Sequence, residues 1–278
     1  MIEKYKLAVV QMKVTDNKKE NISKAKDMIR EAAQKGANLV ILPEIFNSPY
    51  NNSSFPVYAE EFPGETSLEM MKIAKECSIV LVAGSIPEKE GDSIFNTCYV
   101  YNESGEVIGR HRKIHLFDIN IKGGQYFKES DVLTAGKDFT VVDTKFGKIG
   151  IAICYDVRFP EYFRILSEMG AELVALPAAF NMTTGPAHWE ISLRMRAVDN
   201  QIYMAAASPA RDESQSYVSY ANSMIVDPWG KVLENADTDE KIIYSDIDRK
   251  RVYEIREQLP LLKHLRKDLY KLKYRDLF

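Results

Sequence analysis

The sequence has few of the residues that build disulfide frameworks or metal sites. Its three cysteines, Cys77, Cys98 and Cys154, are widely separated and lack CxxC spacing. Its four histidines form no HExxH motif, so a zinc enzyme is not expected. We therefore expect free thiols, any of which could act as a nucleophile in a reducing compartment.

Long hydrophobic runs and a strong excess of one charge are also absent. No apolar run approaches the roughly 18 residues that a membrane span needs. The net charge of −3 gives no reason to expect nucleic acid as a partner. Residues 1–6 lead directly into an apolar segment without the layout of a signal peptide. We expect a cytoplasmic protein that binds neither nucleic acid nor membranes.

No linker rich in Pro, Gly or Ser divides the 278 residues, so we expect one domain over residues 1–278. Residues 252–278 differ in composition, because Lys and Arg are frequent there and leucines recur at helical intervals. We interpret them as a C-terminal tail that docks on its own domain or on a second subunit. An anion-binding or membrane-surface arm is the alternative, which interrupting acidic residues disfavour.

Hydrophobic periodicity predicts alternating strands and helices with interleaved hairpins. The predicted helices cover residues 17–34, 68–77 and 188–199, and a further helix begins near Pro160. The predicted strands cover residues 6–12, 37–42, 79–85, 95–101, 106–111, 139–143, 148–153, 173–176, 202–207, 222–226, 231–234 and 242–246. Several are apolar throughout, which indicates burial on both faces. We expect two stacked sheets with helices outside.

Three strand-like segments end on residues that carry chemistry: Glu44, Lys113 and Cys154. A thiol needs a base, because the thiolate is its reactive form. Glu44 is the candidate base, and Lys113 is the candidate cation that faces a developing oxyanion. The backbone N–H of Tyr155 is a candidate second donor. Such a set can hydrolyse an amide through a thioester.

Each of these residues also has a purely structural interpretation. Cys154 could be a buried small hydrophobe, Glu44 could cap a turn, and Lys113 could belong to a solvated charged stretch. The residues alone therefore leave the hydrolase as a hypothesis.

Longer motifs surround the three residues. LPEIFNSPY at 42–50, HRKIHLFD at 111–118 and AICYDVRFPE at 152–161 resemble the glutamate, lysine and cysteine motifs of the nitrilase superfamily of carbon–nitrogen hydrolases. The similarity continues through residues 179–190, 196–211 and 226–230, and covers essentially the whole chain. The NSPY, HLFD and TTGPAHW segments resemble the omega-amidase branch in particular.

The resemblance implies a fold, a reaction and an assembly. The fold would be α/β, a four-layer αββα sandwich. The reaction would hydrolyse the terminal amide of 2-oxo diacid monoamides, namely 2-oxoglutaramate and 2-oxosuccinamate, through a Cys thioester. The products would be 2-oxoglutarate or oxaloacetate and ammonia. The resemblance implies no cofactor and no metal, and it favours a homodimer.

The resemblance also assigns roles to individual residues. It makes Glu44 the base, Lys113 the oxyanion partner and Cys154 the nucleophile, and Glu129 a second glutamate that positions Lys113 and the substrate amide. The alternative for Glu129 is a surface carboxylate.

The substrate-binding residues implied by the resemblance lie around the cysteine. Arg158 would bind the substrate carboxylate through its planar fork of donors. Its alternative is an ion pair with Asp156 or Glu161. The remaining candidate pocket residues are Phe180, Thr184, Tyr155 and Tyr50.

The sequence departs from the family pattern in a few places. Ile45 stands where the family often has Cys, residues 119–126 replace an Asp-rich loop, and residues 221–223 replace a Gly-His-Ser segment. The changed loop leaves the substrate preference open. Another amidase, acting on N-carbamoyl compounds or deaminated glutathione, is the runner-up. A non-catalytic binding subunit is the alternative from another class.

Overall fold

The computed structural model describes residues 2–122, 126–270 and 272. The strands are β1 (Lys4–Gln11), β2 (Leu39–Ile41), β3 (Val80–Glu90), β4 (Ser93–Tyr101), β5 (Val107–Arg112), β6 (Asp118–Asn120), β7 (Tyr126–Lys128), β8 (Thr140–Thr144), β9 (Gly147–Ile151), β10 (Leu173–Pro177), β11 (Tyr203–Ala207), β12 (Met224–Val226), β13 (Val232–Asn235) and β14 (Lys241–Asp248). The helices are α1 (Lys18–Gln34), α2 (Phe55–Tyr58), α3 (Glu65–Cys77), α4 (Pro160–Glu168), α5 (Gly185–Asn200) and α6 (Lys250–Gln258). Short 3₁₀ turns cover Glu129–Asp131 and Cys154–Arg158.

The strands form two six-stranded sheets of similar design. The first has the order β14-β1-β2-β3-β4-β5, and the second has the order β13-β12-β11-β10-β9-β8. In each sheet three central strands are parallel, β1-β2-β3 in one and β9-β10-β11 in the other. Antiparallel strands flank them. The strands β6 and β7 form a separate two-stranded ribbon, which the sequence did not predict.

Alternation along the strands separates two hydrophobic layers, because successive side chains point to opposite faces of a sheet. In β1, Leu7 and Val9 join a cluster that contains side chains from both sheets. Ala8 and Val10 join a second cluster with Ile29 of α1. The first cluster therefore fills the space between the sheets, and the second lies under α1 and α3.

Helices α4 and α5 cover the other side of the molecule. Phe163 and Leu166 of α4 and Leu193 of α5 are fully buried in the cluster that holds the second sheet. Burying each such side chain stabilises the fold by roughly 1.5–3 kcal/mol. The predicted αββα sandwich is confirmed.

Local signals set the ends of two elements. Helix α1 begins after Asn17, whose side chain accepts hydrogen bonds from the backbone N–H groups of Lys19 and Glu20. Strand β12 begins two residues later than predicted, at Met224. Ala221 and Asn222 have positive φ angles of 61° and 58°, which lie outside the β region and delay the start of the strand.

The C-terminal tail differs from the helical pattern of its leucines. Helix α6 ends at Gln258, and the residues after Pro260 form turns. Proline disfavours helical backbone at the preceding residue and supplies no N–H, which accounts for the stop. The described part of the tail lies against its own domain, where Lys267 pairs with Glu168 of α4 at 3.1 Å. Residue 271 and residues 273–278 of the predicted tail lie outside the described residues, as do residues 123–125 of the changed loop.

Among residues 2–122, 126–270 and 272, none of the helices has the length and apolar character needed to cross a bilayer.

A bulge in β3 supports the turn that carries Glu44. The β3–β4 register shifts between Ala83 and Ile86, and Gly84 lies there with a φ of +45°. The next residue, Ser85, accepts the N–H of Ile45 through its hydroxyl at 3.0 Å. A Cβ added to Gly84 would collide with the Pro43 carbonyl oxygen. Only glycine therefore lets β3 approach this turn so closely.

Replacing Gly84 with alanine should lower the free energy of unfolding by about 3 kcal/mol, since left-handed strain adds to a steric collision. Gly91 is a matched control, because it has a φ of +60° and no atom within 4 Å of an added Cβ. Gly91→Ala should cost about 1 kcal/mol, the strain alone. Urea unfolding measures the free energy of unfolding of both variants. An equal loss of stability in Gly84→Ala and Gly91→Ala would contradict the role of the collision.

Candidate active site

The three strand ends singled out in the sequence meet inside the sandwich. Glu44 follows β2 and Lys113 follows β5, both in the first sheet, whereas Cys154 follows β9 in the second sheet. Lys113 is fully buried, and its Nζ lies 2.9 Å from Glu44 Oε1 and 2.9 Å from Glu129 Oε1. Charges on Glu44 and Lys113 both act on the Cys154 thiol. The structure thus brings all four predicted residues together.

Cys154 sits at a sharp strand-to-helix turn. Its φ of +45° is uncommon for a residue with a side chain. Such strain at a strand end is typical of nucleophiles that must project from a sheet. A backbone hydrogen bond from Ala179 also reaches the sulfur and favours the thiolate. The turn therefore places the buried thiol at the wall of a pocket as well as in the core.

Asp156 holds this turn against the lysine segment. It is fully buried, and its carboxylate accepts the Ile153 N–H at 2.8 Å and the His115 N–H at 3.1 Å. The ring Nδ1 of His115 lies 2.8 Å from the same carboxylate. Burial alone would raise the pKa of Asp156, but His111 and His115 keep it below its usual range. One carboxylate thereby ties the nucleophile of one sheet to the segment carrying Lys113 from the other.

Glu44 has one saturated oxygen and one open oxygen. Its Oε1 accepts hydrogen bonds from Lys113, from Asn96 Nδ2 at 2.8 Å and from the Tyr50 hydroxyl at 3.3 Å. No hydrogen bond to the buried Oε2 comes from the N–H and O–H groups of residues 2–122, 126–270 and 272. Since the Cys154 thiol interacts with the Glu44 carboxylate, Oε2 is the oxygen that remains for proton transfer.

Glu129 is part of the buried core of the site, so its interpretation as a surface carboxylate is wrong. Its Oε1 binds Lys113, and its Oε2 accepts the Phe117 N–H at 2.7 Å. The Tyr50 hydroxyl donates a hydrogen bond to the same Oε1. The solvated interpretation of Lys113 is equally wrong. Two carboxylates and one phenol fix this ammonium in place.

The pKa shifts of Glu44, Cys154 and Lys113 have separate physical causes. Burial raises the pKa of Glu44, and the Lys113 charge partly opposes this rise. Burial and the Glu44 charge raise the pKa of Cys154 well above its usual value. Burial alone would lower the pKa of Lys113. The negative charges of Glu129 and Glu44 outweigh this effect and raise the pKa of the ammonium. The thiol therefore keeps its proton until a base removes it.

The predicted substrate-binding residues line a pocket next to the thiol. This pocket is here called the substrate pocket. It is lined by Cys154, by the predicted residues Tyr155, Arg158, Phe180 and Thr184, and by Phe117, Ala179, Asn181 and Tyr217. Tyr50 lies apart from it, between Glu44, Lys113 and Glu129. Tyr50 therefore contacts the charged groups of Glu44, Lys113 and Glu129 and does not line the substrate pocket.

Arg158 is held by aromatic rings and a histidine. Its guanidinium carbon lies 5.0 Å from the Phe180 ring centre and 5.6 Å from that of Tyr155. Its Nη1 lies 2.9 Å from His188 Nδ1. Over the described ranges, Arg158 forms no ion pair with Asp156 or Glu161, because Asp156 is engaged by the histidines. The guanidinium charge remains available for an anion.

Sequence patterns missed Asn96, Asp156 and Tyr217. Tyr217 packs against Tyr50 with tilted rings whose centres are 4.6 Å apart, and its hydroxyl donates to the Ala179 carbonyl oxygen at 2.5 Å. It lies between strands, where hydrophobic periodicity gives no signal. Asn96 lies within a buried strand, and only its apposition to Glu44 reveals a role.

Comparison with known proteins agrees with this geometry. The sequence profile of the carbon–nitrogen hydrolase family matches residues 6–257. This chain belongs to the carbon–nitrogen hydrolase family. A relative, omega-amidase NIT2 of Mus musculus, is 51% identical over 266 residues, which are 96% of this chain and 96% of the relative.

Solved structures of nitrilase-superfamily members share the fold. Nit3 of Saccharomyces cerevisiae, a member of branch 10 of the superfamily, has a TM-score of 0.88 at 40% identity, covering 95% of this chain and 97% of that one. A mutant amidase from Nesterenkonia sp. AN1 has a TM-score of 0.80 at 26% identity, with 95% of each chain covered. That amidase shows covalent addition of the acetamide moiety of fluoroacetamide at its active-site cysteine. The chain described here is a hydrolase of amide carbon–nitrogen bonds.

Lys113→Met should destabilise this hydrolase by about 3–5 kcal/mol near neutral pH, because two buried carboxylates lose their cation. Loss of the cation also raises the pKa of Glu44 further, so the folded state binds protons more tightly than the unfolded state. Stability then falls as the pH rises above the unfolded value of about 4.3, and the deficit shrinks as the pH returns toward it.

Chemical unfolding at several pH values measures this deficit. Lys128→Met is the matched control, since Lys128 is 45% exposed and forms a short-range pair with Asp131. It should leave the free energy of unfolding nearly unchanged, because solvent screens an exposed ion pair. A deficit in Lys113→Met that is equal at all pH values would contradict the assignment to unpaired carboxylates.

Proposed function

We propose that the protein is an omega-amidase that hydrolyses the terminal amide of 2-oxo diacid monoamides, with 2-oxoglutaramate and 2-oxosuccinamate as substrates. The observation that carries this proposal is the Arg158 guanidinium, which lines the same pocket as the Cys154 thiol and bonds the ring of His188. The identity to relatives named omega-amidase NIT2 supports the same reaction.

Acylation begins with the neutral thiol. Glu44 Oε2 takes the thiol proton while Cys154 Sγ bonds to the amide carbon. The carbonyl oxygen becomes an oxyanion, which the Lys113 ammonium and the Tyr155 N–H stabilise. Glu44 then gives its proton to the amide nitrogen, the carbon–nitrogen bond breaks, and ammonia leaves a thioester on Cys154.

Deacylation repeats the same proton transfers with water. Glu44 removes a proton from water, and the water oxygen bonds to the thioester carbon. The carbon–sulfur bond then breaks, and the sulfur recovers a proton from Glu44. The covalent acetamide adduct on the cysteine of the Nesterenkonia amidase supports the nucleophilic role proposed for Cys154.

Glu129 and Tyr50 act through Lys113. Both bind the ammonium, at 2.9 Å and 3.4 Å, and Tyr50 also bonds both carboxylates. A fixed ammonium stabilises an oxyanion without reorganising during the reaction. We infer that these two residues position Lys113, and that Glu129 also orients the substrate amide.

Arg158 selects the substrate. A guanidinium offers two parallel donors to a carboxylate, an arrangement that favours an amide carrying a carboxylate at its other end. Phe180 and Tyr155 hold the guanidinium from the sides, and Thr184 borders the same pocket with its hydroxyl bound to Asn181 Oδ1 at 3.2 Å. Uncharged aliphatic amides lack the group that Arg158 binds.

Ammonia release from 2-oxoglutaramate should be abolished in Cys154→Ala, because no other thiol reaches the base. Cys98→Ala is the matched control, since Cys98 is also a free, buried cysteine but lies in the core between the sheets. Cys98→Ala should keep the wild-type turnover number at a small cost in stability. Equal activity of the Cys154→Ala variant would contradict the mechanism.

Arg158→Met should lower kcat/KM for 2-oxoglutaramate by about a hundredfold, the worth of a charge-assisted pair. Arg158→Lys keeps the charge but not the fork, and should lie between Arg158→Met and the wild type. The rate with an uncharged aliphatic amide should change little in either variant. Comparable turnover of charged and uncharged amides by the wild type would contradict the selectivity.

A further inference from the structure

Two cavities reach the catalytic residues from different sides. One is the substrate pocket, which contains Cys154 and Arg158. The other, here called the Glu44-side cavity, is lined by Glu44, Ser48, Tyr50, Ser219, Asp212 and Gln215, among others. Ala179 and Tyr217 line both cavities. These two residues, joined by the Tyr217 hydroxyl bond to the Ala179 carbonyl, therefore form a partition between them.

The Glu44-side cavity runs from the base to the surface. At its inner end Glu44, Ser48 and Ser219 are buried. At its outer end Asp212 and Gln215, together with Val14, are partly exposed. Carboxylate and hydroxyl groups at the inner end suit a small polar molecule. A route to Glu44 thus exists that does not pass through the substrate pocket.

The open oxygen of Glu44 receives no hydrogen bond from the residues in the described ranges, and acylation removes the nearby thiol proton as well. In the resting enzyme the thiol of Cys154 interacts with the Glu44 carboxylate. Once Cys154 carries an acyl group, it has no proton to donate. Oε2 would then be a buried acceptor served by none of the N–H or O–H groups in the described ranges. Leaving such an acceptor unsatisfied is unfavourable, and a water molecule is the smallest donor that satisfies it.

The acyl group also obstructs the other route. While the thioester lies on Cys154 and its carboxylate lies on Arg158, the acyl chain would occupy the substrate pocket between these two lining residues. We propose that the Glu44-side cavity holds and supplies the water that hydrolyses the thioester. This inference rests on the proposed thioester mechanism. The water gives one proton to Glu44 Oε2, its oxygen bonds to the acyl carbon, and the sulfur leaves with the proton that Glu44 returns.

Plugging the outer end of the cavity tests this proposal. Gln215→Trp places a large side chain at a partly exposed position, where folding is little affected. Val14→Trp narrows the same end from a different chain segment and serves as a second variant. Glu213→Trp is the matched control, because Glu213 is exposed and does not line the cavity.

Rapid-quench kinetics separate the two half-reactions, since ammonia is released on acylation and the acid on hydrolysis. In at least one plugged variant, the first equivalent of ammonia should form at the wild-type rate while steady-state turnover falls about tenfold. Mass spectrometry of the quenched protein should show an acyl adduct on Cys154. Glu213→Trp should match the wild type in both phases.

Two outcomes would overturn the proposal. One is unchanged steady-state turnover in both plugged variants, which would show that water enters elsewhere. The other is equal slowing of the ammonia burst and of turnover, which would show that the cavity admits substrate. Wild-type inactivity on 2-oxoglutaramate would instead contradict the proposed function. The plug experiment would then be run with whichever amide the wild type hydrolyses.

Discussion

The site depends on one buried ammonium held between two buried carboxylates. Removing Lys113, Glu44 and Glu129 from water costs several kcal/mol per ion. This cost is offset only if the distances between the charged atoms are short and the remaining lone pairs are satisfied. Both Nζ–Oε1 distances are 2.9 Å. Asn96, Tyr50 and the Phe117 N–H satisfy three further acceptor positions. The oxygen left open, Glu44 Oε2, is the one that chemistry needs.

The sandwich matters because the two halves of the chemistry come from different sheets. Glu44 and Lys113 are fixed by the first sheet, and Cys154 by the second. Packing between the sheets therefore sets the distance between base and nucleophile. Asp156 adds a polar tie across this interface, since it bonds the cysteine turn and His115 at once. A small shift in the interface would cost more in rate than in stability, because proton transfer requires hydrogen-bond distance.

Features with local causes were predictable from the sequence, and features with distant causes were not. The period of α1 and its Asn17 cap are local, as are the apolar runs that end at Glu44 and Cys154. The family motifs added Glu129 and Arg158, which no pattern of periodicity indicates. The roles of Asn96, Asp156 and Tyr217 arise from contacts with residues far away in the chain, for example Asn96 with Glu44 at a sequence separation of 52. The leucine spacing after Pro260 predicted a helix that does not form over the described part of the tail, because a proline interrupts a helix even where the residues after it have helical periodicity.

A raised pKa makes Glu44 suited to both half-reactions. The same carboxylate must take a proton from a thiol or from water, and return it to a leaving nitrogen or to a sulfur. A base with a very low pKa would accept these protons poorly, and one with a high pKa would be protonated before substrate arrives. Burial raises the pKa of Glu44, and Lys113 restrains that rise. Lys113 therefore tunes the base as well as stabilising the oxyanion, so its burial and its pairing with two carboxylates serve the chemistry as a single unit.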